Sequence, residues 1–172
     1  EIWYKAAKQF SSYALGLYGE NTDGSTGERL TQERFCELAE KQSKGVASVE
    51  ELALLEPYRA KRAVLLASGF GSRMLPITIN TPKPLVRVGG KRIIETTIDA
   101  LLDAGVNDIV IVRGYLAEEF DILLKKYPMV RFVTNQQFDT TNNISSALAV
   151  LRDDPSAFQN AYVLESDLLL SN

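Results

Sequence analysis

The sequence contains no histidine, and that absence removes more chemistry than any other feature of its composition. A Ser-His-Asp triad, a histidine-ligated zinc and an imidazole base all need the ring, so all three are excluded. The single cysteine, Cys36, has no partner in the chain. No internal disulfide framework exists, and a reducing, cytoplasmic setting is expected. Long apolar runs are missing too: Ala63–Ala67 is five residues, against the roughly 20 that a spanning helix needs. A soluble chain without membrane contact is expected. Neither charge sign dominates, since 19 Lys and Arg face 22 Asp and Glu for a formal net charge of −3. Nucleic-acid binders carry a basic surplus, which argues against that class. No basic head, apolar centre and small-residue cleavage site marks a signal peptide. Chemistry must therefore come from carboxylates, Lys and Arg, hydroxyls, backbone amides or a bound ion. The chain opens at Glu1 without an initiator Met and stops at Asn172 after an apolar run, so a piece of a longer protein is expected.

What is present divides near residue 60. Residues 1–60 hold seven basic and ten acidic side chains, and residues 61–172 hold twelve of each. In the first part, Tyr13, Leu15, Leu17 and Tyr18 precede a polar loop from Gly19 to Gly27. Thr31, Glu33 and Arg34 then open a helix through Phe35, Leu38 and Ala39. A second helix is expected over Ser48–Leu55, with Ser48 and Glu51 forming a capping box and Pro57 ending it. Two or three short helices do not make a core alone.

The second part alternates strand and helix. Arg62–Ala67, Asp108–Val112, Val130–Thr134 and Tyr162–Glu165 read as strands, the first two continuously apolar in the manner of strands buried on both faces. Ile94, Ile98, Leu101 and Leu102 form a helical stripe closed by Gly105. Leu116, Phe120, Leu123 and Leu124 predict a second helix and a core stripe. Ile144, Ala147, Leu148 and Leu151 predict a third helix, capped by Asn142 or Asn143. Short connections between such elements imply parallel βαβ units, hence a three-layer α/β/α, Rossmann-like, mostly parallel sheet.

The informative loop follows the first strand: Ala67, Ser68, Gly69, Phe70, Gly71, Ser72, Arg73, Met74, then Thr81-Pro82-Lys83-Pro84-Leu85. Ligands of open α/β sheets bind outside the carboxyl ends of the strands, where this loop lies. Glycines let backbone amides approach phosphate oxygens, Arg73 offers a planar fork, and Lys83 a point charge between two prolines. From Lys61 to Ile94 there are seven basic residues and no acidic one, which reads as a polyanion site. A dinucleotide fingerprint fails because position 74 is Met, and no P-loop motif occurs.

The run Leu65–Met74 together with Thr81–Leu85 resembles the signature of the nucleotide-sugar pyrophosphorylase, or nucleotidyltransferase, superfamily. With Val112–Tyr115, Asn142–Ser146 and Tyr162–Asp167, the chain looks most like the bacterial CTP:phosphocholine cytidylyltransferases over about residues 57–172. Leu52–Tyr58 resembles the end of a winged-helix-like segment that some members carry, making residues 1–60 a helical N-terminal segment and 61–172 the nucleotide-binding half of the transferase domain. The resemblance implies transfer of CMP from CTP to phosphocholine, giving CDP-choline and pyrophosphate. It places Ala67, Ser68, Gly69, Phe70, Gly71 and Ser72 around the triphosphate, with Arg73 and Lys83 on the reacting phosphates. Asn142, Asn143 and Ser145 would read base and ribose, although capping explains either Asn as well. Tyr115 could line the base pocket or simply pack. Magnesium would sit on Asp167. Relatives often carry Asp-x-Asp there, whereas this chain has Glu165-Ser166-Asp167, and their second metal carboxylate lies farther downstream. Two alternatives remain open: a sugar 1-phosphate acceptor with dTTP, UTP or GTP, and a non-catalytic nucleotide-binding regulatory module.

Overall fold

The computed structural model describes residues 30–139 and 143–168, with Asn143 described by its backbone alone. The chain divides between Arg59 and Ala60 into two units. In the first, Thr31 caps α1 (Gln32–Ser43) by accepting from the Arg34 amide at 3.3 Å. Helix α2 (Val49–Leu55) carries the expected capping box: the Glu51 amide donates to the Ser48 hydroxyl, and the Ser48 amide donates to the Glu51 carboxylate. Such a cap contributes about 1 kcal/mol. Pro57 does end the α-helix, but the chain first makes a 3-10 turn over Glu56–Tyr58, because proline fits the first turn of a helix. The expected features before residue 30 lie outside the described residues.

The second unit is built on a four-stranded parallel sheet of β1 (Arg62–Ala67), β4 (Asp108–Arg113), β5 (Val130–Thr134) and β6 (Ala161–Glu165), in the order β5-β4-β1-β6. Strand β1 is central, pairing Arg62 with Asp108 on one side and with Ala161 on the other. Because side chains alternate along a strand, Ala63, Leu65, Ala67, Ile109 and Ile111 face one layer, and Val64, Val110 and Val112 the other. The first face is covered by α3 (Ile93–Asp103), through Ile94, Ile98 and Leu101, and by Phe120, Leu123 and Tyr127. The second is covered by α4 (Asn143–Asp153) and the following turn, through Val150 and Ala157. Burial on both faces explains the unbroken apolar runs of β1 and β4, each buried branched side chain contributing roughly 1.5–3 kcal/mol. Gly105, with φ at 82°, ends α3 as its sequence position predicts.

Three features depart from the sequence reading. Between β1 and α3 lies a small hairpin, β2 (Arg87–Val88) with β3 (Lys91–Arg92), turned by Gly89 and Gly90 at positive φ. Such a glycine pair suits the right-handed twist of a two-residue hairpin. The second expected helix is a 3-10 segment, Ala117–Lys125, entered through Leu116 in the left-handed region at φ 49°. Arg113 donates to the Ala117 carbonyl at 3.2 Å and ties the start of the segment to the end of β4. Three residues per turn align Phe120 with Leu123 and turn Leu124 outward, 39% exposed, so Leu124 is not core. The apolar stripe of the third helix also faces out, with Ile144 65% and Leu148 47% exposed. Its inward face is Ser145, Ser146 and Val150, small or compact residues that find buried partners at the sheet's carboxyl end.

Candidate active site

From β1 the chain steps outward through β4 and β5, then returns to β6 on the other side of β1. The carboxyl ends of β1 and β6 therefore flank the switch point of the sheet, where open α/β folds hold their ligands. A hollow of about 260 Å³ lies there. It is lined by Leu66 and Ala67 at the end of β1, by Gly69, Gly71, Ser72 and Arg73 of the loop that follows, and by Lys83, Pro84 and Glu165 to Asp167.

Each part of this lining has a local cause. Gly71 sits at φ 65°, a conformation open to glycine, and starts a 3-10 turn over Ser72–Met74. A Cβ on it would come within 2.9 Å of the Lys83 Cβ and 3.1 Å of Thr78. Thr78, fully buried, donates to the Gly71 carbonyl at 3.0 Å and holds the turn. The missing side chain thus lets the loop close directly onto the Lys83 stem. Lys83 itself opens a 3-10 turn pinned by buried Pro84 and Leu85. Its ammonium donates to the Asp167 carboxylate. Ser166 is 2% exposed and ties this end of β6 to β1, its hydroxyl donating to the Leu66 carbonyl at 2.7 Å and its amide at 3.2 Å. Arg73 is exposed at the rim and meets no carboxylate among the described residues.

The residues singled out from sequence fall into three groups. Ala67, Gly69, Gly71, Ser72, Arg73, Lys83 and Asp167 converge on the hollow. Ser68, Phe70 and Ser145 do not line it. The Ser68 hydroxyl lies 2.7 Å from that of Ser146, and Ser145 accepts from Asn135 at 2.8 Å. Phe70 packs against Tyr115 and Phe138, with ring centroids 4.7 and 5.2 Å away. Tyr115 is held at both ends, its amide on the Ser68 carbonyl and its hydroxyl on the Ile79 carbonyl at 2.6 Å. Asn142 lies outside the described residues, and Asn143 begins α4. Sequence reasoning missed Ser166, Thr78, Asn135 and Gly114. A Cβ on Gly114 would fall 2.6 Å from Phe138 and 2.8 Å from the Ser68 carbonyl. Asn135 had a signal, a polar residue directly following a buried strand at its carboxyl end.

The acid-free basic stretch also resolves differently from its expected reading. Of its seven cations, only Arg73 and Lys83 reach the hollow. Arg62 lies at the opposite edge of the sheet on Asp108 and Asp154, Lys91 pairs with Asp99, and Arg92 pairs with Glu95. A larger cavity, about 350 Å³, lies beyond the Pro82–Leu85 wall between Ile77, Arg87, Arg92, Glu119 and Ile122. It has no glycine loop at a strand's carboxyl end to offer backbone amides, so the smaller hollow is the better polyphosphate site.

A carboxylate pair at the rim also bears on a divalent ion. Among the described residues no cluster of three or more metal-ligating side chains exists. Magnesium needs only one or two carboxylates beside phosphate oxygens and water, and Asp167 with Glu165 in the same lining meets that requirement.

The sequence model of the nucleotidyl transferase family matches residues 62–172, the unit that carries this hollow. The chain belongs to that family. It is 44% identical over 110 residues to a 2-aminoethylphosphonate cytidylyltransferase of Lancefieldella rimae, covering 64% of this chain and 44% of that protein. It is 43% identical over 106 residues to a choline-phosphate cytidylyltransferase of Streptococcus pneumoniae, covering 62% and 44%. A solved structure of a CTP:phosphocholine cytidylyltransferase from Streptococcus pneumoniae superposes with a TM-score of 0.56 at 43% identity, covering 62% of this chain and 44% of that one. The chain therefore spans under half the length of these relatives. The three-layer α/β fold is that of nucleotidyltransferases. No helix among the described residues is long and apolar enough to cross a membrane.

Proposed function

We propose that residues 61–172 form the nucleotide-binding half of a cytidylyltransferase that transfers CMP from CTP to phosphocholine, residues 1–60 being an accessory helical segment. The observation that carries this reading is the convergence of a glycine loop, Arg73, Lys83 and Asp167 on one hollow at the sheet's switch point. Cytidylyl transfer asks little covalent chemistry of a protein. A phosphate oxygen of the acceptor attacks the α-phosphorus of CTP, the bond from that phosphorus to the bridging oxygen breaks, and pyrophosphate leaves. Alignment and neutralisation of charge suffice, so the absence of histidine is no obstacle.

The amides of Gly69 to Ser72 would donate to the triphosphate, Arg73 would bind the departing phosphates, and Lys83 would stabilise charge developing at the α-phosphate. Asp167, with Glu165, would hold a magnesium ion, which supplies further neutralisation of the triphosphate. The α4 start, with Asn142 and Asn143, would face base and ribose. Relatives that bear the names of aminoethylphosphonate and phosphocholine transferases support a small acceptor with a cationic amine and a phosphoryl or phosphonyl group.

Calorimetry with CTP, UTP, dTTP and GTP in magnesium tests the reading. CTP is expected to bind most tightly. Tighter binding of UTP, dTTP or GTP would favour a sugar 1-phosphate transferase, and silence with all four would end the enzymatic reading. Product formation from phosphocholine against 2-aminoethylphosphonate then assigns the acceptor.

A further inference from the structure

Behind the glycine loop lies a buried polar network that the proposed chemistry does not use. Asn135, 3% exposed, follows β5, and its amide donates to the Arg113 carbonyl at 2.8 Å. Its side-chain oxygen accepts from the Gln137 amide at 3.0 Å. A backbone N–H can only donate, so this contact fixes which end of the side-chain amide is oxygen. The Nδ2 group then faces α4, where it donates to the Ser145 hydroxyl at 2.8 Å and the Ser146 hydroxyl at 3.2 Å. Ser146 is 1% exposed and lies 2.7 Å from the Ser68 hydroxyl.

Direction follows from these partners. If Ser68 donated to Ser146, the Ser146 oxygen would accept twice and its own proton would have no acceptor among the described residues in a fully buried place. Such an unmade donor is costly. The opposite order satisfies every buried group: Asn135 donates to Ser146, and Ser146 donates to Ser68. The Ser68 proton is then left over, at a residue 8% exposed that stands in sequence between two residues lining the hollow and whose own hydroxyl lies on the α4 side. Its carbonyl is already held by the Tyr115 amide at 3.0 Å.

We propose that Asn135 and Ser146 are positioning residues that fix the Ser68 hydroxyl as a hydrogen-bond donor to the bound nucleotide, where the glycine loop leaves β1 opposite the first turn of α4. This rests on the nucleoside triphosphate reading above. It also gives the otherwise distant loop and helix start one shared anchor.

Polarity reversal tests it. The substitution Asn135→Asp keeps the shape, but a carboxylate only accepts. Ser146 would turn its proton to the carboxylate and accept from Ser68, withdrawing the donor. Magnesium-CTP affinity of the 172-residue chain is expected to fall about five- to tenfold in Ser68→Ala, one neutral hydrogen bond. Asn135→Asp is expected to fall as far, and the double variant no further. Ser146→Ala carries the same cycle should Asn135→Asp fail to fold, its loss vanishing in the Ser68→Ala background. Thermal melts of each variant separate folding from binding. Losses that multiply in the double variants, or CTP affinity unchanged in Ser68→Ala, would overturn the assignment while the CTP reading stands. A wild-type chain that ignores CTP removes both.

Discussion

The two edges of the same sheet differ in how completely their cations are paired. At the amino edge, Arg62 donates to Asp108 at 2.5 Å and to Asp154 at 2.7 Å, while Arg131 reaches Asp108 at 2.9 Å. Every guanidinium there meets a carboxylate. At the carboxyl edge, Arg113 pairs with Asp121 at 2.6 Å and Lys83 with Asp167, but Arg73 meets no carboxylate among the described residues. The first arrangement neutralises itself and holds strands together. The second leaves the Arg73 charge unmatched among the described residues, beside the glycine-loop amides in a hollow where a polyphosphate could meet it. Arg62 and Arg73 belong to one acid-free stretch of sequence, so local charge counting cannot separate them. The acids that cancel Arg62 come from 46 and 92 positions away.

Removing cations should therefore have different consequences at the two edges. Lys83→Ala or Arg73→Ala is expected to weaken magnesium-CTP binding by about 100-fold each, the scale of one lost charge-assisted contact, with little change in the melting temperature. Calorimetry beside a thermal melt reads both; equal binding by wild type and variant would break the comparison. Gly114→Ala acts on the carboxyl edge through space instead of charge. Its Cβ has no room against Phe138 and the Ser68 carbonyl, and a loss of about 2 kcal/mol in chemical denaturation is expected.

At the amino edge, Asp108→Asn should lower stability by about 1 kcal/mol and leave CTP affinity unchanged, since the half-open pair is screened by solvent. Acid should act in the same direction. Burial pushes the Asp108 carboxyl up, but hydrogen bonds and charge from Arg131 and Arg62 outweigh it and hold it below its ordinary value. Asp99 is held low in the same way by Tyr127, Lys91 and Lys126 against the effect of burial. A carboxylate depressed in the folded state contributes its stability above the unfolded value, about 4, and loses it as pH falls through the folded value. Denaturation midpoints should therefore drop below about pH 4, less steeply in Asp108→Asn. The smallest effect is expected from Leu148→Ser on the outer face of α4, within about 0.5 kcal/mol by the same measurement.

Much of the fold was legible because its signals are local. Strands β1 and β5 appear at their predicted limits, and Gly105 ends α3 where a left-handed residue is required. The 3-10 segment after β4 was not legible, because its apolar spacing fits an α-helix equally well and the left-handed Leu116 at its entry leaves no sequence signal. Nor was the rotation of α4, because Ser145 and Ser146 turn inward only where Asn135 and Ser68 can satisfy their hydroxyls. Of the site, the glycine turn and its two cations could be read as a run of residues, while Ser166, Thr78 and Asn135 could not. Ser166 acts across the sheet on Leu66, Asn135 on the start of α4, and Thr78 by closing back on Gly71 within the loop.

By itself, the sequence determined the strand-helix alternation, the glycine turn after β1 and the exclusion of imidazole chemistry, because period, steric freedom and side-chain inventory are properties of neighbouring residues. Tertiary structure alone decided which of seven cations stay available to a ligand, which face of α4 goes inside, and that Lys83 meets Asp167 across the switch point. Those outcomes depend on charge cancellation and hydrogen-bond satisfaction between groups far apart in the chain, which exist only once the sheet has brought its edges together.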